Sequence, residues 1–147
     1  MEDYIVKYKI NGKYLGDGLI ENSIDNLKGK FYIENEPSEE SKNMSPMQSL
    51  LSALSASAQI SIISIAKDMD MDIKQLSTTI KASTDKRGML GLAKVKPYFS
   101  SIHQVVNIRT NDSEKINELM ETFKKTCPMY NLILDTGINY TINFRLV

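Results

Sequence analysis

The sequence predicts an α+β domain with element order β-β-β-α-β-β-α-β, and three patterns carry that expectation. A serine-studded apolar segment opens at Ser45-Pro46 and runs to about Lys67, with apolar or small residues on every helical face. Further on, Ile116, Leu119, Met120 and Phe123 recur at i, i+3, i+4 and i+7, the spacing of an amphipathic helix. Residues 138–147 alternate Ile138, Tyr140, Ile142, Phe144 and Leu146 with polar neighbours, the period of a half-buried strand.

Residues 4–10 are rich in β-branched and aromatic side chains. Asn11-Gly12 tolerates the positive φ angles of a tight hairpin turn, so the chain is expected to return as a strand over residues 13–21. Gly16 and Gly18 weaken that strand and mark a bulge. Residues 30–34 read as a third short strand, and residues 35–43, rich in Glu, Ser, Asn and Pro, as a loop. Ser45 is a good N-cap, Pro46 suits the first helical position, and Gln48 closes a capping box.

The helix that follows is expected to be buried on all sides. One small domain can hardly surround such a helix, so a homodimer in which each protomer covers the other's helix is the economical solution. Residues 72–82 and 95–109 are the next strands, joined by a turn around Gly88 and Gly91. Asn111, Asp112, Ser113 and Glu114 offer caps and first-turn acids for the second helix. Cys127-Pro128 ends it, because the residue before proline is pushed out of the α region.

At 147 residues the chain is expected to be one domain, residues 1–147, large enough to bury a core without staples. A single cysteine, Cys127, excludes an intramolecular disulfide and a disulfide-stapled secreted scaffold. Residues 1–8 lack the basic-then-apolar pattern of a secretory signal, and residues 50–66 carry too much serine for lipid. A cytoplasmic location is therefore expected. Eighteen Lys+Arg balance 18 Asp+Glu, and no stretch reads as strongly basic, so neither nucleic acid nor membrane is expected as a partner.

No cofactor and no metal is expected. Asp68, Asp70 and Asp72 alternate as in a calcium loop but lack its glycine and its closing glutamate. His103, the one histidine, has no ligand cluster around it and supports no Ser-His-Asp arrangement. Gly88–Gly91 lacks the Lys-Ser/Thr of a phosphate loop. The eight methionines, Met44, Met47 and Met129 among them, read as core filler.

Two motifs carry a resemblance. Residues 45–57, from Ser45-Pro46-Met47-Gln48 to Ser57, look like the central-helix motif of the OsmC/Ohr family of osmotically inducible and organic hydroperoxide resistance proteins. Cys127-Pro128 resembles that family's second motif, and the element order agrees over nearly the whole chain. The resemblance implies an OsmC-like intertwined homodimer with sites at its interface. In catalytic members it implies organic hydroperoxide reduction, an oxidative stress response. There a cysteine on the central helix attacks the peroxide, the Cys-Pro cysteine resolves the sulfenic acid as a disulfide, and a dithiol reductant closes the cycle.

The chain departs from that pattern at the position of attack, which Ser57 holds. A serine hydroxyl is neither acidic nor soft enough to be oxidised by peroxide. Met47 replaces the glutamate that follows the helix-start proline in the hydroperoxide-resistance subgroup. The first arginine is Arg87, so the N-terminal strands lack that subgroup's guanidinium. Cys127 matches, and if Pro128 opens a short helix its dipole favours a thiolate there.

Cys127 is thus the catalytic candidate, with Ser57 and Met47 lining the site; the alternative is that Cys127 packs as a small hydrophobe. Three functions stay open. One is a relative of thiol-dependent hydroperoxide reductases whose activity is lost or reduced to Cys127. Another is a non-catalytic dimer holding a small apolar or hydroperoxide ligand. The last is an active peroxidase with an engineered Ser57.

Overall fold

A computed structural model describes residues 4–147, which fall into two compact units. The first, up to Leu50, holds an antiparallel meander of β1 (Ile10–Gly16), β2 (Leu19–Ile24) and β3 (Lys30–Glu34). The hairpin does not turn at Asn11-Gly12. Those residues lie within β1, opposite Ser23 and Asn22, and residues 4–9 are outside any strand. The chain reverses instead through Gly16, Asp17 and Gly18, at φ of +101°, +50° and +76°. Three successive positive φ angles need glycine at most positions, and only this segment provides two. The register slips between Tyr14 and Gly16, the bulge expected at Gly16.

β3 keeps its predicted bounds, and so does the helix start. The Ser45 backbone N–H donates to Gln48 Oε1 at 2.9 Å, while the Gln48 N–H donates to Ser45 Oγ at 3.2 Å. This reciprocal box opens α1 (Pro46–Asp68).

The second unit, Leu51–Val147, holds β4 (Ile73–Thr84) and β5 (Phe99–Thr110), an antiparallel pair joined through the single-turn α2 (Lys86–Met89). β6 (Asn139–Leu146) lies parallel to β5. A parallel pair requires a crossover, built here from a 3₁₀ turn, α3 (Ile116–Thr126) and α4 (Pro128–Asp135). On α3, Leu119 and Phe123 are fully buried, as the periodicity requires. Asp112, read from sequence as a helix cap, instead accepts the Asp72 N–H at 2.8 Å. Lys115 Nζ donates to the Met69 and Asp70 carbonyls at 3.2 and 2.8 Å, tying the chain just past α1 to the start of α3.

α1 joins the core through Ala58, Ile62, Ile65 and Ala66, with Val106 and Ile108 of β5 and Leu119 and Phe123 of α3. Within one chain, burial on all sides is met on one face only. Ala53, Ala56, Ile60 and Ile63 lie outside it, and Ile60 is 70% exposed. A single layer of strands and one helix covers only one side of a cylinder. By length and composition α1 is long and apolar enough to cross a bilayer. Its buried residues Leu54, Ala58, Ile62 and Ala66 nevertheless recur every four positions, as in the core helix of a globular fold.

Phe123 is the hub of this core, with ring centroids 5.5 Å from Tyr130 and 5.4 Å from Phe144. Phe123→Ala is expected to cost about 3–5 kcal/mol, read as a lowered urea midpoint at unchanged slope.

Candidate functional site

Cys127 stands where α3 breaks. Pro128 drives it to an extended conformation, φ −68° and ψ 116°, and then serves as the first residue of α4. The bend is pinned on both sides. The Cys127 N–H donates to the Phe123 carbonyl at 2.9 Å, and the Asn131 N–H and Nδ2 donate to the Cys127 carbonyl at 3.2 and 2.8 Å. Asn131 Nδ2 also donates to the Lys124 carbonyl at 3.0 Å. The short helix expected after Pro128 is therefore present, and the Cys127 thiol at its start is fully buried.

Ser57, half-buried on α1, faces it. Its Oγ lies 3.6 Å from Cys127 Sγ, a hydrogen-bonding contact between residues 70 positions apart. Met47, half-buried in the first turn of α1, belongs to the first compact unit. His103 lies on the exposed side of β5, its Nδ1 2.8 Å from Thr141 Oγ1. Among the described residues no three His, Cys, Asp or Glu are grouped to hold a metal.

Beside the pair runs a polar chain that sequence reasoning missed. The Tyr140 hydroxyl donates to Gln104 Oε1 at 2.6 Å, and Gln104 Nε2 donates to Thr78 Oγ1 at 3.1 Å. Thr78 in turn donates to the Val105 carbonyl at 3.0 Å. Gln104 is fully buried, a position tolerable for an amide only when both ends are satisfied. The Tyr140 ring lies 5.4 Å from that of Tyr130. Burial pushes the Tyr140 phenol well above its ordinary range, and Cys127 and Tyr130 nearby push it the same way. A signal for this chain existed: strand alternation puts Gln104 in phase with the buried Ile102, Val106 and Ile108. A polar residue in an apolar phase marks a buried network.

Chemically, the site offers one thiol facing one hydroxyl. It holds a single oxidisable sulfur, and it cannot close a disulfide within the chain.

The family model for OsmC-like proteins matches residues 38–143, which takes in both facing positions. The chain belongs to the OsmC-like family. That family is related to the organic hydroperoxide resistance proteins, and solved structures show the same fold. An OsmC-like protein from Mycoplasma pneumoniae superposes with a TM-score of 0.79 at 20% identity, over 97% of this chain and 96% of that one. The organic hydroperoxide resistance protein OhrB of Bacillus subtilis gives 0.61 at 18% identity, over 97% and 98%. An organic hydroperoxide resistance protein OsmC from Legionella pneumophila gives 0.63 at 15% identity, over 98% of each chain. The mixed α+β fold with two three-stranded sheets is thus that of the OsmC-like proteins. Among curated proteins none matches the chain at a significant level.

Gln104→Leu strips Tyr140 and Thr78 of their partner and is expected to cost about 1–3 kcal/mol in urea denaturation. The raised Tyr140 phenol also sets a pH dependence. Below the ordinary tyrosine value of 10.0 it is protonated in both the folded and the unfolded chain, and its contribution is whole. As pH rises beyond that, the unfolded chain ionises first and stability falls. Tyr140→Phe is expected to flatten this decline, measured as urea midpoints between roughly pH 8 and 11.

Proposed function

We propose that this OsmC-like protein keeps the two-position site of a thiol-dependent hydroperoxide reductase, with its own peroxidase activity lost or reduced to what Cys127 alone supports. The 3.6 Å approach of Ser57 Oγ to Cys127 Sγ carries this reading. An oxygen stands where the attacking sulfur belongs, facing the cysteine that would resolve it.

In the two-cysteine cycle, a thiolate takes one oxygen from the hydroperoxide, releasing an alcohol and leaving a sulfenic acid. The second thiol displaces water to form a disulfide, and a dithiol returns both thiols while becoming a disulfide itself. Serine cannot enter the first step. The replacement of an acid by Met47 and the absence of arginine before Arg87 fit the same loss. A lone unpaired thiol accords with a cytoplasmic, reducing location. A second reading, a non-catalytic site holding a small apolar ligand or an unreduced hydroperoxide, is favoured by the burial of the Cys127 thiol.

The site is proposed to be completed by a second copy of the chain. Among the described residues none before Leu54 is buried, so the first sheet has no core of its own. Ile60, Ile63 and Leu76 line an open, apolar groove of about 500 Å³ along the exposed face of α1. The small side chains of Ala53 and Ala56 on that side permit a second helix to approach, as a self-complementary two-fold contact requires.

With a dithiol reductant present, the chain is expected to turn over an organic hydroperoxide at most at the slow rate that a single thiol, Cys127, supports. Turnover at the rate of a two-cysteine enzyme would overturn the reading. Ser57→Cys is expected to form an internal disulfide with Cys127 on adding peroxide, seen as protection of both thiols from alkylation in mass spectrometry. About 1.5 Å of approach brings the two sulfurs to bonding distance. Light scattering is expected to show a dimer, and Ile60→Asp to shift it to monomer, because a charge cannot be buried unpaired in an apolar seam.

A further inference from the structure

The β4–β5 connection has a construction that the chemistry at Ser57 and Cys127 does not use. Between Thr84 and Phe99 stand four basic residues, Lys86, Arg87, Lys94 and Lys96, against one acid, Asp85. A whole-chain total of zero averages this loop with acid-rich residues 34–40.

The loop is firmly closed on itself. Asp85 accepts the Arg87 N–H at 3.0 Å and holds its guanidinium, with Nε to Oδ1 at 3.0 Å and Nη2 to Oδ2 at 2.6 Å. The Leu90 and Leu92 N–H groups donate to the Lys86 and Arg87 carbonyls at 3.0 and 2.8 Å. A Cβ at Gly88 would meet the Val95 and Lys96 carbonyl oxygens at 2.7 and 2.8 Å, so the closure admits only glycine. Yet this order covers none of the apolar side chains at its tip. Met89, Leu90 and Leu92 are 56%, 67% and 72% exposed. Lys94 and Lys96, two residues apart, both line an open cleft of about 700 Å³. A hydrogen-bonded turn that holds three aliphatic side chains outward among lysines suits a surface both apolar and anionic.

We propose that the connection between β4 and β5 docks on an anionic lipid bilayer. Met89, Leu90 and Leu92 enter the boundary between headgroups and acyl chains, while Lys86, Lys94 and Lys96 meet lipid phosphates. Charge and apolarity together select this occupant. A nucleic acid would take the lysines but has no use for exposed aliphatic side chains. A neutral apolar partner would leave the lysines uncompensated. The Arg87 charge is already held by Asp85, which leaves the lysines as the binding charges. Ser101 and Ile102, early in β5, pair with Asn139 and Tyr140, so the docking loop leaves the sheet at the end that carries Tyr140. The inference does not rest on the proposed peroxidase-like site.

The experiment is flotation of the full chain with vesicles of phosphatidylcholine alone, or with about 30% phosphatidylglycerol added. Binding to the anionic vesicles at low salt is expected, with little to neutral ones and release in roughly 0.5 M NaCl. Lys86→Gln, Lys94→Gln and Lys96→Gln combined should lower partitioning roughly 100-fold, about five-fold for each lysine. Leu90→Gln with Leu92→Gln keeps every charge and should lower it at least about tenfold. Absence of binding, or equal binding to neutral vesicles, overturns the proposal. So does a leucine variant that binds as the parent does while double-stranded DNA displaces the vesicles, which would make the loop a polyanion site. A leucine variant that turns monomeric in light scattering also overturns it, by placing a second copy on the patch.

Discussion

A 23-residue helix with apolar or small side chains around its whole circumference must be covered, and most of this structure follows from that requirement. β5 and α3 supply one wall, through Val106, Ile108, Leu119 and Phe123 against Ala58, Ile62, Ile65 and Ala66. The crossover that lays β6 parallel to β5 supplies α3 to this wall and runs as two short helices broken at Cys127-Pro128. The break brings the thiol against α1. The position of Cys127 is thus a consequence of how the helix is covered as well as of its own local motif.

The polar groups near Cys127 obey the same economy. A core built this tightly admits Gln104 and Tyr140 only because each finds a partner, in a chain that ends on the Val105 carbonyl. The chain links β4, β5 and β6, so it holds the three strands in register while setting a hydroxyl near the thiol. Ser57 differs from these groups. Its contact with Cys127 is a single long hydrogen bond of 3.6 Å involving sulfur, which contributes little to stability.

Charge is distributed with comparable economy of means. The balanced total of 18 basic and 18 acidic residues conceals an acid-rich stretch at residues 34–40 and a basic loop between β4 and β5. The loop is closed by main-chain bonds and a glycine packed against the Val95 and Lys96 carbonyls. Its leucines stand outside the core while its backbone hydrogen bonds are made within the loop.

The sequence by itself determined the features that depend on near neighbours. The capping box at Ser45 and Gln48, the bounds of β3, the buried face of α3 and the helix break before Pro128 all rest on interactions within a few residues. Local propensity expresses those directly. The pairing of the two family motifs also made the fold legible. Tertiary structure decided the rest, because it rests on contacts between distant residues or on competition among local options. Asn11-Gly12 was a competent turn, but the run through Gly16 and Gly18 met the strand register better. Asp112 could have capped its own helix, and instead it satisfies an amide 40 residues away. Which face of α1 is covered, that Gln104 reaches Tyr140, and that Ser57 meets Cys127 across 70 residues were set by packing, which local propensity does not encode.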